Sequence, residues 1–282
     1  MVATLIPQYL MNKIKFSVLI PVYFKENPDY FRLALQSIWH DQTLKPNEVV
    51  IVADGPLTKE LDHVIKEFSK IATVKVVALK NNVGIGKALN EGVTKCSYDY
   101  IARMDSDDIA FPIRFEKQIS YLEEHPEIGI LSSWIDEFID DADNVVSTRK
   151  IPENHIEIIK NLKGRCPINH PTVVFKKSAV ISSGNYLTYF LKEDIYLWLR
   201  LYANKIIFAN INESLLAFRI TKDTYKRRGG FKYAKSEFNI FKFRYKIGLI
   251  NRFQLVYYLA ITIPIRLAPA LIRSFIYSKL LR

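Results

Sequence analysis

Three carboxylates fall within four positions in Met104-Asp105-Ser106-Asp107-Asp108. Such a cluster repels itself unless a cation or open solvent lies between the charges. Asp105 and Asp107 are two residues apart, so on an extended segment their side chains point to the same side. Hard divalent cations, Mn²⁺ or Mg²⁺, prefer carboxylate oxygens and leave coordination positions for phosphate. A solvated turn ahead of Pro112 uses the same residue types. Arg103 precedes the cluster at the end of an apolar strand pattern. A cation plus a guanidinium at a strand end describes a diphosphate site.

A second acidic pair, Glu193-Asp194, opens the amphipathic run Leu197-Trp198-Leu199-Arg200-Leu201. Acids at a helix start stabilise it by a few tenths to about 1 kcal/mol, and that alone accounts for them. The alternative is a general base. His170, between Asn169 and Pro171, is the other titratable candidate, because its intrinsic pKa suits proton transfer; a structural histidine is the competing reading. Gly84-Ile85-Gly86-Lys87 invites a phosphate-loop reading but fails it. The upstream glycine is missing, and Ala88 stands where a Ser or Thr would meet Mg²⁺. Lys87 either reaches a phosphate or is a solvated side chain at a helix start.

These groups need elements to hold them. The run FSVLIPV over 16–22 reads as a buried parallel strand, and 48–53 (EVVIVA) as a second one ending at Asp54-Gly55-Pro56. Helical spacing of Phe31, Leu35, Ile38 and Trp39 predicts a helix over 28–42. A helix over 58–70, a strand over 74–79, a loop becoming a helix over 82–92 and a strand over 98–104 follow. Regular alternation predicts βαβ units and a doubly wound parallel sheet, with ligands beyond the carboxyl ends of the strands. Three of those ends carry the conspicuous residues: Pro21-Val22-Tyr23 with Glu26, then Asp54, then Arg103 to Asp108.

The chain has 282 residues, 49% of them apolar and 13% aromatic, which excludes disorder as the main state. Cys96 and Cys166 are too few for a disulfide framework or a zinc site, and read as core or half-buried thiols. No signal peptide, apolar run of about 18 residues, internal repeat or low-complexity segment is expected. The net charge is +11, and it is uneven. Residues 219–282 hold fifteen Lys or Arg against two acids, Asp223 and Glu237, so the preceding body is close to neutral.

Lys226-Arg227-Arg228 and interleaved basic and aromatic residues run through 219–246, followed by the uncharged run 253–265. Thirteen helical residues span about 20 Å, too short for a hydrocarbon core of about 30 Å. Arg252, Arg266 and Arg273 lie within about 60° of one another on a helical wheel. That predicts a helix lying in the interface on anionic lipid. Packing on the body as core helices and binding of nucleic acid are the alternatives.

Seven segments occur in order: SVLIPVYFKE, SIWHDQ, VVIVADGP, NVGIGKALNEG, IARMDSDDIAFPIRFEKQISYLEEHPEIGIL, NHPTVVFKKSAVISSGNY and KEDIYLWLRL. Together they resemble a family 2 glycosyltransferase of the GT-A fold, most of all the bacterial enzymes that extend amylovoran, O-antigen and exopolysaccharide repeat units. The resemblance covers about residues 14–220. It implies a catalytic domain over 14–218, with a nucleotide-binding half to about 110 and an acceptor half from 111. The basic helical segment 219–282 would then associate with a membrane.

On that resemblance Pro21, Tyr23 and Glu26 lie beside the nucleotide base, Asp54 hydrogen-bonds it, and Asn82, Gly84, Lys87 and Arg103 belong to the donor site. Asp105 and Asp107 match the DxD motif, the first holding ribose and metal, the second being the principal metal ligand. His170 falls near the acceptor or diphosphate. Asp194 matches the general base, with Glu193 as its orienting neighbour. The common DDGS turn keeps only one acid here, and Tyr196 replaces the second acid of EDxDLW. The QxxRW motif of processive synthases is absent, which implies one sugar per encounter.

The expected activity is inverting, metal-dependent transfer from a nucleotide sugar, a UDP-sugar by resemblance, to a lipid-diphosphate-linked saccharide. Its place would be the inner face of the plasma membrane. A nucleotidyltransferase of similar sheet architecture is the enzymatic alternative. A non-catalytic membrane or nucleic-acid binding module is the other.

Overall fold

The structure, a computed structural model, describes residues 14–220 and 229–269. Lys226-Arg227-Arg228 and Arg273 lie outside the described residues. The expected alternation is present: β1 Phe16–Val22, α1 Pro28–Trp39, β2 Glu48–Ala53, α2 Lys59–Phe68, β3 Val74–Ala78, α3 Ile85–Lys95 and β4 Tyr100–Arg103. These four strands are parallel, in the order β3-β2-β1-β4. Pro21 is tolerated in the central strand β1 because the β4 ladder stops at Leu19–Arg103, before it reaches the proline. β4 begins two residues later than the pattern predicts. Glu48 accepts from Ser97 N and Oγ, which holds the preceding segment in a turn.

The second half adds β5 Ile109–Ala110, α4 Arg114–Glu124, β6 Ile128–Phe138, β7 Ser147–Arg149 and α5 His155–Leu162. A single 3₁₀ turn, His170–Thr172, leads into β8 Val174–Lys176, α6 Lys177–Ser182, α7 Glu193–Ala203 and β9 Ile207–Arg219. β8 joins β4 antiparallel, β6 joins β8 antiparallel, and β9 returns parallel to β6. Mixed pairing replaces parallel pairing where crossovers give way to direct returns.

One sheet thus separates two apolar layers. Phe16, Val18, Ile20 and Val22 of β1 pack with α1, α2 and α4 on one face. Leu19 of β1, with Val50 and Val52 of β2, packs with α3, α5 and α7 on the other. Alternation along each strand is the expected period of two. Gly92 lets α3 approach closely: a Cβ there would stand 2.4 Å from Leu19 Cδ1 and 2.8 Å from Val52 Cγ2.

The basic segment is built into this body. Arg219 closes β9, and two helices follow the undescribed stretch: α8 Phe231–Lys246 and α9 Arg252–Leu267. Tyr233, Ala234, Glu237, Ile240, Phe241 and Arg244 of α8 form one buried stripe, with Ile240 and Phe241 in the core beside Trp198 of α7. α9 starts with a capping box, in which Asn251 accepts from Gln254 N and Gln254 Oε1 accepts from Asn251 N. Its outer face is a different matter. Phe253, Val256, Tyr257, Ala260, Ile261, Pro264 and Leu267 are all exposed and share one helical stripe; Phe253 is 87% exposed.

The arginine ridge expected on α9 does not all point outward. Arg266 turns inward, 3.7 Å from Glu237 of α8, because a buried carboxylate there needs countercharge. Among the described residues no helix is long and apolar enough to cross a membrane. Both cysteines are free; Cys96 is buried, whereas Cys166 is exposed on an irregular segment rather than in a core position.

Candidate active site

Chain reversals beyond the carboxyl ends of β1, β2 and β4 bring the donor-side candidates together. Asp54 leaves β2 at a turn completed by Gly55, whose φ of +89° suits glycine and whose missing Cβ makes room for Asn82 N. The Asp54 carboxylate accepts from Val83 N at 2.7 Å and Gly84 N at 3.0 Å, one bond to each oxygen. Asn82 Nδ2 donates to the Asp54 carbonyl at 3.3 Å. Asp54 therefore shapes the loop into α3, and each oxygen retains a lone pair for a further donor. Lys87 is exposed on the first turn of α3. Tyr23, just past β1, is 40% exposed and packs edge-on against Phe24.

Arg103, buried at the end of β4, grips both oxygens of Asp105 through its two Nη atoms. Ser106 Oγ donates to Glu26 Oε2 at 2.5 Å, which draws the loop after β1 onto the acidic segment. Asp107 is consequently confined with two other carboxylates. Burial, then the charges of Asp105 and Glu26, push its pKa up to about 7. A cation would relieve this repulsion. Among the described residues no three His, Cys, Asp or Glu side chains stand close enough to hold an ion by themselves.

Several supports had no signal in the sequence. Asp108 is fully buried and turns away, accepting from Arg219 N at 2.9 Å, while Arg219 Nε donates to the Asp107 carbonyl at 3.0 Å. Arg114, also fully buried, donates to the carbonyls of Arg103 and Pro171, so one guanidinium braces the acidic loop and the His170 turn together. Burial, then Arg103, lowers its pKa to about 9. These partners lie 11 to 112 positions away, and spacing rules reach only a few residues.

In the second half, Glu193 and Asp194 occupy the first turn of α7. Burial and then the adjacent Asp194 push Glu193 up to about 7. The Glu193 Cβ would lie 3.5 Å from a Cβ at Gly86, so α7 meets the start of α3. His170 Nε2 is 2.9 Å from Tyr186 Oη, and its ring stands edge-on to Trp198. Burial, with Arg103 nearby, holds the His170 pKa well below the ordinary histidine range. Burial thus favours the neutral imidazole of His170, hydrogen-bonded to Tyr186. Tyr186, unassigned from sequence, is the junction. Burial pushes its pKa up, and the charges it feels are those of Arg103, Asp194, Glu193 and Asp105. Both acidic groups therefore lie within electrostatic reach of Tyr186.

The sequence profile described as "Glycosyl transferase family 2" matches residues 17–182, more than half of the chain. The chain belongs to glycosyltransferase family 2. This glycosyltransferase is 38% identical over 268 residues to an Escherichia coli protein named UDP-Gal:alpha-D-GlcNAc-diphosphoundecaprenol beta-1,3-galactosyltransferase, covering 95% of this chain and 97% of that one. It is 36% identical over 264 residues to the amylovoran biosynthesis glycosyltransferase AmsE of Erwinia amylovora, covering 94% and 98%. Its fold matches S. aureus TarS 1–349 in complex with UDP-GlcNAc, with a TM-score of 0.66 at 17% identity, over 94% of this chain and 73% of that one. The sheet and flanking helices of this glycosyltransferase are accordingly of the GT-A type.

Proposed function

We propose that this glycosyltransferase moves one sugar from a nucleotide sugar, a UDP-sugar, to a lipid-diphosphate-linked saccharide, with inversion at the transferred carbon. The observation that carries this reading is the convergence of the Arg103–Asp105–Asp107 loop and the Glu193–Asp194 helix start around Tyr186. The nearly full-length likeness to the E. coli galactosyltransferase supports the donor and the acceptor class.

Asp54 and the loop it organises take the base, with Tyr23 as the stacking ring and Pro21 and Glu26 beside it. Asn82, Gly84, Lys87 and Arg103 line the donor. Asp107 would be the principal ligand of Mn²⁺ or Mg²⁺; Asp105, held by Arg103, keeps lone pairs for ribose and metal. Bound there, the cation supplies neutralisation of charge on the leaving diphosphate. Asp194 takes the proton from the acceptor hydroxyl. The freed oxygen bonds to the anomeric carbon as the bond from that carbon to the diphosphate oxygen breaks. Proton transfer of this kind contributes about 10²–10⁴-fold. Glu193 orients its neighbour, and His170 with Tyr186 offers neutral hydrogen bonds near the acceptor or diphosphate.

The catalytic domain of this reading covers 14–218, its nucleotide half ending near 110. The segment 219–282 carries the membrane contact, on the inner face of the plasma membrane and on anionic lipid. The exposed apolar stripe of α9 supports that assignment. The test is a panel of nucleotide sugars, UDP-galactose first, assayed for Mn²⁺-dependent hydrolysis and for transfer to a GlcNAc-diphosphate lipid. Turnover of one UDP-sugar is expected. Nucleotidyl transfer, or no turnover with any donor, would overturn the reading.

A further inference from the structure

The segment that delivers Glu193 and Asp194 is strained. Leu191 has a φ of +52°, in the left-handed region that a branched, bulky side chain rarely occupies. Lys192 follows as the helix cap with no side-chain hydrogen bond into α7. Conformations of this kind cost about 1–3 kcal/mol and persist only where surrounding structure enforces them.

The enforcing structure is α8, which lies wholly outside the segment matched by the family profile. Ser236 Oγ donates to the Phe190 carbonyl at 2.9 Å. The Lys232 ammonium sits 4.4 Å from the centre of the Phe190 ring. Lys192 Nζ stands 2.6 Å from Glu237 Oε2, with side-chain exposures of 16% and 7%, and lies over the Tyr233 ring as well. Phe243 packs edge-on against Tyr196, one turn into α7. Burial disfavours the charge on both Lys192 and Glu237. Mutual attraction outweighs it, so the lysine pKa is raised and the carboxyl pKa lowered. Both stay charged. Removing Glu237 leaves the Lys192 charge buried without its countercharge, whereas removing Lys192 leaves Glu237 with Arg266 at 3.7 Å and frees the turn ahead of α7.

We propose that Glu237 is a positioning residue for the general base: through Lys192 it fixes the strained turn ahead of α7 and thereby the direction of Asp194. The proposal rests on the transferase reading above. On it, the basic C-terminal segment has a second task beside membrane contact, because α8 completes the acceptor side of the site. Displacements of about 1 Å at a reacting group cost up to about 10²-fold in rate.

The experiment compares the full-length enzyme with E237Q, K192M, the double variant and S236A. Steady-state transfer is measured with the donor found in the nucleotide-sugar panel and a GlcNAc-diphosphate lipid, beside melting temperatures. The expected result for E237Q is a fall in kcat of about 10–100-fold with donor KM unchanged. K192M should match it, and the double variant should be no worse than either single one. S236A, which removes one part-buried hydrogen bond and keeps the charges, should lower kcat less, again at constant donor KM. Should E237Q and K192M not fold, S236A decides. A wild-type kcat in the folded variants, or losses that add in the double variant, would overturn the proposal. So would a change confined to melting temperature. A wild-type enzyme that transfers no sugar instead removes the transferase reading beneath it.

Discussion

Replacing Glu193 by Gln tests the electrostatics of the acceptor side without ligands. Burial and Asp194 raise the Glu193 pKa from 4.5 to about 7 in the folded chain. The folded state therefore binds this proton more tightly than the unfolded state. The stability it contributes is complete below the unfolded value and is lost as pH rises through about 7. Integrated over the two titrations, the cost of the ionised group is ~3 kcal/mol near pH 8 and ~1 kcal/mol near pH 5. Glu193 is half-buried, so solvent screening lowers the first figure toward ~2 kcal/mol. Glutamine keeps the neutral shape at every pH. E193Q should then be more stable than the parent by ~2–3 kcal/mol near pH 8, or about 4–7 °C in Tm, and by under ~1 kcal/mol near pH 5. Urea or thermal denaturation of both proteins across that range is the assay. An equal difference at the two ends, or a less stable variant near pH 8, would refute the reasoning.

Other consequences follow from the same geometry. In transfer assays the wild-type pH profile should inflect at about 7, where Glu193 titrates beside the base position; E193Q should flatten that inflection. D194N should lower kcat by about 10²–10⁴-fold while donor affinity, followed by calorimetry, is retained. D107A should lose the Mn²⁺-dependence of donor binding; an unchanged metal titration would remove Asp107 as the ligand. Replacing Phe253, Val256 and Tyr257 together by Ser should abolish co-sedimentation with anionic vesicles and spare transfer to a short-chain acceptor, since all three are exposed. Retained vesicle binding would move the contact elsewhere.

What could be read in advance follows the range of the interactions. β1, β2 and the loop into α3 are local patterns, two continuous apolar runs and a glycine-bearing turn, and they fall where expected. The acidic loop was conspicuous because like charges so close need a reason. Its supports were not. Arg114 and Arg219 act on carbonyls and carboxylates far along the chain, and a buried arginine looks like any other arginine in a sequence. Tyr186 stood in Gly184-Asn185-Tyr186 with no partner in view, because His170 meets it only after the fold closes. The packing of α8 was hidden for a related reason. Glu237 and Arg244 on its inner stripe interrupt the apolar period, so a helix buried against α7 resembles a solvated basic one. The outer face of α9 was legible, while the inward turn of Arg266 depended on Glu237 one helix away.

The central claim is a single displacement at the anomeric carbon with Asp194 as base. The most direct measurement is the anomeric configuration of the first product formed from an α-linked UDP-sugar and a GlcNAc-diphosphate lipid, read by NMR coupling constants. The account predicts a β-linked product from the wild type and none from D194N. An α-linked product, or an undiminished yield from D194N, would contradict it.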